Sequence, residues 1–116
     1  MFPYQNLIVY KKAFLLNKSI YKLLKGNSTL PSYIKNQLGR ASLSIVLNIA
    51  EGSAKVTNRD RRNFFVIARG STFECAAVIE ILHAEAEISS EFKSQLDTGF
   101  EEISKMLYAM IKKLEM

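Results

Sequence analysis

Four stretches of the chain repeat apolar residues at the alternating three- and four-residue spacing of a helix with one buried face. The first covers residues 6–25, where Leu7, Tyr10, Phe14, Asn17, Tyr21 and Leu24 form a seam with one polar interruption. Gly26 follows as the expected left-handed residue that closes a helix. The second covers residues 31–52, with Pro31 in its first turn. Ile34, Leu38, Ala41, Ile45 and Asn48 make one seam, and Leu43, Val46, Leu47 and Ala50 a second apolar side. Gln37, Arg40, Ser44, Asn48 and Glu51 leave only a narrow polar strip.

The third stretch starts at Thr57 or Asn58, either of which can cap it, and reaches residue 85. Asp60 in its first turn suits the positive end of the helix dipole. Between Phe64 and Leu82 its only charges are Arg69, Glu74 and Glu80. Ala68, Gly70, Ser71, Ala76 and Ala77 are small enough to admit another backbone closely. The fourth covers residues 90–114, with Leu96, Phe100, Ile103, Leu107, Met110 and Leu114 at helical spacing.

Short connections between long helices make sequential neighbours antiparallel. The expected fold is all-α, an up-down-up-down four-helix bundle in one domain over residues 1–116. The first and fourth helices read as outer helices with one apolar seam and a charged back. The second and third are apolar around most of their circumference, more than one bundle covers. A homo-oligomer joined through helices 2 and 3 follows, because monomers rarely expose large apolar patches. The alternative is a monomer that encloses both helices centrally.

Composition narrows the class. A chain of 116 residues suits one core. Cys75 is the single cysteine, which excludes an internal disulfide and a cysteine-based metal cluster. No signal peptide is read at the N-terminus, and the longest strongly apolar run, residues 41–50, falls short of the roughly 20 residues of a membrane span. A cytoplasmic protein without a membrane partner is expected.

The net charge is +5, unevenly spread. The first 70 residues carry twelve basic and two acidic side chains, and residues 71–116 carry four basic and nine acidic. Such a split suits a polyanionic partner, or copies of the chain that attract one another. The alternative is an uneven but merely solvated surface.

Residues 41–52, which end in Asn48, Ile49, Ala50, Glu51 and Gly52, resemble the helix 2 signature of the 23S rRNA intervening-sequence proteins. Residues 65–71, containing Ile67, Ala68, Arg69, Gly70 and Ser71, resemble that family's helix 3 pattern together with Glu74. Residues 7–13 resemble its opening. Val46 stands where the family usually has proline. The helix 3 start, residues 59–62, is more basic than usual, and the Gly-Tyr often found after helix 3 is missing near Ala84 and Glu85. The resemblance implies small bundles assembled as ring-shaped homopentamers, with no known catalytic activity. It also implies kinship with the accessory proteins of diversity-generating retroelements, which bind a reverse transcriptase and nucleic acid. A reverse transcriptase or another protein is therefore a candidate partner, beside RNA or DNA.

Two sets of residues are candidate sites. In the expected topology, Lys11, Lys12, Lys55, Arg59, Arg61, Arg62, Lys105, Lys112 and Lys113 gather at one end, offset by Glu51, Asp60 and Glu115. Such a surface binds phosphates through counterion release without reading sequence. The other set is a polar strip of Arg40, Ser44, Asn48 and Glu51 on helix 2 with Arg69, Ser71 and Glu74 on helix 3. An Arg40–Glu74 ion pair and an Arg69–Ser44 hydrogen bond are within reach, and a structural network is preferred to a ligand site.

No nucleophile–base set, glycine-rich phosphate loop, metal motif or cofactor signature is present. His83 reads as a surface or capping residue, Cys75 as a packed thiol, and Tyr10 and Tyr21 as core. The expected function is an oligomeric, non-enzymatic bundle that binds nucleic acid without sequence preference. A protein-interaction module without a nucleic-acid role is the alternative.

Overall fold

The computed structural model describes residues 2–27 and 29–115. Within them lie a short 3-10 turn, η1 (Pro3–Asn6), and four helices: α1 (Ile8–Gly26), α2 (Ser32–Ala54), α3 (Asn58–Ala84) and α4 (Ser90–Lys113). Each helix packs on its neighbours in the chain, and α1 closes the bundle against α4, while the diagonal pairs α1–α3 and α2–α4 stay apart. The result is an elongated four-helix bundle of 45 × 24 × 22 Å.

The helix starts follow local chemistry. Thr57 Oγ1 accepts from the Asp60 amide at 3.1 Å, and Ser89 Oγ accepts from the Phe92 amide at 3.1 Å. Each satisfies an amide that has no partner inside its helix. Pro31 stands just before α2 as its cap. With Val46 in place of a proline, α2 continues unbroken through that position.

The ends of α1 and α3 depart from expectation in an instructive way. Gly26 is the last residue of α1, and no glycine among the described residues has a positive φ. Asn27 ends that helix in extended backbone, and its side chain holds the turn by accepting from the Thr29 amide and hydroxyl. The left-handed closure occurs after α3 instead, at Ala86 with φ 60°. The Glu87 amide donates to the Leu82 carbonyl at 2.8 Å and the Ala86 amide to His83 at 3.0 Å, the paired bonds of a Schellman ending.

The core is aliphatic. Leu38, Ile45, Ile49, Ile79, Ile103 and Leu107 are almost wholly buried, each stabilising the fold by roughly 1.5–3 kcal/mol. The α4 seam lies where its spacing puts it, through Leu96, Phe100, Ile103 and Leu107, with Ile111 completing it. The α1 seam does not. Val9, Ala13, Leu16 and Ile20 face inward, whereas Phe14 and Tyr21 lie outside and Tyr10 is half-buried. Advancing one residue turns a helix by about 100°, so counting Tyr10, Phe14 and Tyr21 as core rotates the whole helix away from its true face. The correction has a consequence: α1 exposes Ile8, Phe14, Leu15 and Tyr21, as many large apolar side chains as α3 does with Val66, Ile67, Phe73 and Ile81.

Candidate nucleic-acid interface

The α2–α3 turn is three residues long, so the end of α2 and the start of α3 are held together. Arg61 Nε donates to the Lys55 carbonyl at 2.7 Å and braces this turn. The Lys55 ammonium lies 5.0 Å from the centre of the Phe64 ring. The start of the chain and the end of α4 meet the same tip. There Pro3, Leu7, Ser53, Arg61, Phe65, Met110, Lys113 and Leu114 line one apolar hollow of about 310 Å³. Arg61 and Lys113 supply its cationic rim.

Part of the positive charge at the tip is already neutralised. Arg62 Nη2 lies 3.1 Å and Lys112 Nζ 3.2 Å from the Glu115 carboxylate. These two partners, Lys112 the stronger, hold the Glu115 pKa below the ordinary carboxylate range. Arg62 Nε is buried without a hydrogen-bond partner among the described residues. Arg59 and Lys113 are exposed and form no ion pair among the described residues.

The nine basic residues are therefore not one cluster. Lys55, Arg59, Arg61, Arg62, Lys112 and Lys113 gather at the tip. Lys11 sits on the flank of α1, beside Gln5, Tyr10 and Phe14. Lys12 lies further along α1, paired with Glu102 of α4 at 2.9 Å. Lys105 lies mid-bundle, in the α3–α4 groove with Arg69, Thr72 and Ala76. It stands two turns before the end of α4, about 12 Å along the axis, too far to join the tip.

The polar strip is also redrawn. Ser44 and Ser71 share a 2.7 Å hydrogen bond across α2 and α3. Asn48 Nδ2 donates to the Ser44 carbonyl at 2.9 Å and to its hydroxyl at 3.0 Å. Arg40, Glu51 and Glu74 are exposed, and the Arg40–Glu74 ion pair does not form. Gln37 lies seven residues before Ser44 on the α3-facing stripe and reaches Glu74 instead, at 3.4 Å. Arg69 points away from Ser44. It is two residues from Ser71, roughly 200° around α3, and so it faces α4. Its Nε donates to the Ser104 carbonyl at 3.3 Å, and its guanidinium lies 4.9 Å from the Phe73 ring centre and 5.2 Å from that of Tyr108. A neutral Ser44–Ser71 hydrogen bond thus ties α2 to α3, with Asn48 bracing Ser44 from within α2, and a stacked arginine ties α3 to α4.

Other polar groups have structural partners. Buried Ser42 donates to Asn17 at 2.7 Å, which explains the polar interruption in α1. His83 Nε2 lies 2.9 Å from Ser90 Oγ across the α3–α4 turn. Burial, then the nearby Glu74 carboxylate, pushes the Cys75 thiol up to about 12, so it stays protonated and unreactive. Among the described residues, no three His, Cys, Asp or Glu side chains are placed to hold a metal ion, and no helix is long and apolar enough to cross a membrane.

A family profile described as 23S rRNA-intervening sequence protein matches residues 5–109. The chain belongs to this family. The bundle is also similar to the crystal structure of a protein of unknown function from the S23 ribosomal protein family of Bacteroides thetaiotaomicron. The TM-score is 0.84 at 26% identity, over 90% of this chain and 99% of that one. No curated protein matches the chain. Membership in the intervening-sequence family agrees with the four-helix architecture and by itself assigns neither an activity nor a partner.

Proposed function

We propose that this protein is a homo-oligomeric four-helix bundle that presents its basic tip to nucleic acid and binds through phosphates without reading sequence. The observation that carries the reading is the convergence of Lys55, Arg59, Arg61 and Lys113 around the α2–α3 turn and the end of α4. Arg59 and Lys113 have no ion-pair partner there among the described residues. Copies in a closed ring, as the family resemblance implies, would repeat this tip around an axis, and each phosphate engaged would release counterions.

Assembly is supported by the outer face of α3. Val66, Ile67, Phe73 and Ile81 are exposed along it. Gly70 stands among them, where a Cβ would meet nothing within 4 Å. Glycine inside a helix costs about 1 kcal/mol relative to alanine. Nothing among the described residues uses the space it leaves, and a second copy packed closely on α3 would. The same apolar face favours the second reading, a module whose partner is another protein.

Gel-shift titration against RNA and DNA at two salt concentrations tests the first reading. Binding should weaken steeply with salt. The Arg59→Glu, Lys113→Glu double variant should bind at least tenfold more weakly, and its salt slope should be shallower by about one for each phosphate it no longer engages. Neither side chain supports the fold, so assembly should persist. Absence of binding at low salt by the assembled protein, or unchanged affinity in the double variant, contradicts the reading.

A further inference from the structure

The flank of the bundle next to the basic tip carries four aromatic rings in unbroken contact. Phe2 stacks on Tyr4 with ring centres 5.9 Å apart, Tyr4 meets Tyr10 edge-on at 4.8 Å, and Tyr10 meets Phe14 at 6.1 Å. The run rises from the edge of the core to the surface: Tyr10 is half-buried against the core and Tyr4 half-buried, whereas Phe2 is 67% and Phe14 52% exposed. The 3-10 turn creates it by bringing Phe2 and Tyr4 beside the first turns of α1. The turn is held by the Phe2 amide donating to Gln5 Oε1 at 2.9 Å. Gln5, Tyr10, Lys11, Phe14 and Leu15 line an open hollow of about 410 Å³ along the run.

The segment that carries the rings has charge of one sign. Residues 2–50 contain no carboxylate side chain, and Lys11 borders the hollow. The carboxylate that approaches α1 from α4, Glu102, is engaged by Lys12. Exposed rings beside an ammonium group are what unpaired nucleotides require: bases stack on aromatic faces, and the backbone follows the positive charge. Duplex DNA keeps its bases stacked internally and offers such rings nothing.

We propose that the Phe2–Tyr4–Tyr10–Phe14 run is a stacking platform for the unpaired bases of single-stranded nucleic acid, with Lys11 beside it for the phosphates. This rests on the nucleic-acid reading above and adds a preference to it. The tip supplies charge that any phosphate backbone satisfies, and the ring run selects strands whose bases are free.

Fluorescence anisotropy with a labelled oligothymidylate and a duplex of the same length tests the platform on the 116-residue chain. The single strand should bind at least about fivefold more tightly than the duplex, since one stacked base contributes that much or more. A Tyr10→Ala, Phe14→Ala double variant should lose that advantage, with duplex affinity and salt slope unchanged. The chain has no tryptophan, so tyrosine emission reports directly. Oligothymidylate should quench it, and Tyr10→Phe should keep the affinity while losing part of the quenching. Equal affinity for the two probes, with the alanine variant binding like the wild type, overturns the platform and leaves the phosphate reading standing. No binding of either probe at low salt sinks both. Loss of single-strand binding together with a fall in the mass of the assembly would mean that the rings hold a second copy, which also overturns the proposal.

Discussion

Gly52 on α2 and Gly70 on α3 are both helical glycines in family-like motifs, yet their surroundings are opposite. A Cβ on Gly52 would lie 2.6 Å from Phe65 Cε1 and 3.2 Å from Phe64 Cβ, whereas a Cβ on Gly70 would touch nothing within 4 Å. Gly52 lets α2 and α3 close on each other at the basic tip. The space over Gly70 opens outward among Val66, Ile67 and Phe73, all of them exposed. The same residue type therefore marks a close approach already made inside the protomer and one left open for something outside it.

The contrast is broken most sharply at Gly52. Gly52→Ala should destabilise the bundle by about 2 kcal/mol, because the new Cβ would overlap the buried Phe65 ring and crowd Phe64 Cβ, which is fixed to the α3 backbone. Urea unfolding followed by circular dichroism measures this, and a loss of only a few tenths would mean that the tip is loosely packed. Gly70→Ala should act in the other direction. In the dissociated protomer it should add about 1 kcal/mol, the ordinary helix-propensity gain, read by the same method at high dilution. The smallest effect is expected where glycine is absent. Ala86 holds a left-handed conformation that costs an L-residue roughly 1–2 kcal/mol. Ala86→Gly should relieve it, less the greater chain entropy glycine loses on folding, for a net stabilisation of about 0.5 kcal/mol in the same unfolding measurement.

How much of this was readable along the chain varied with the kind of residue. α4 was legible because its core positions are large, aliphatic and regularly spaced from Leu96 to Leu107. α1 was misleading because its bulkiest apolar side chains, Phe14 and Tyr21, are on the outside while Ala13 is on the inside. The short turn sets α2 and α3 side by side, but Ser44 meets Ser71 and not the expected Arg69. The partners of Arg40 and Arg69 did not follow, since they depend on helix rotation and on rival acceptors such as the Ser104 carbonyl. The basic tip was legible as a charge pattern, but the reach of each side chain was not. Lys105 lies two turns too early on α4, and Lys12 is held by Glu102. Of the aromatic run, Tyr10 and Phe14 gave a helical spacing that read as core, and Phe2 and Tyr4 gave none, because η1 folds them back onto residues that the sequence separates from them.

Most depends on the outer face of α3 being covered by another copy of the chain. Sedimentation equilibrium at tens of micromolar, on the wild type and on Gly70→Met, tests this directly. The wild type should sediment at a fixed multiple of the 13.2 kDa protomer, and the methionine variant, whose new side chain fills only outside space, should remain folded but fall towards 13.2 kDa. A wild-type protein that sediments at 13.2 kDa across that range, or a methionine variant that assembles like it, would contradict the proposed assembly.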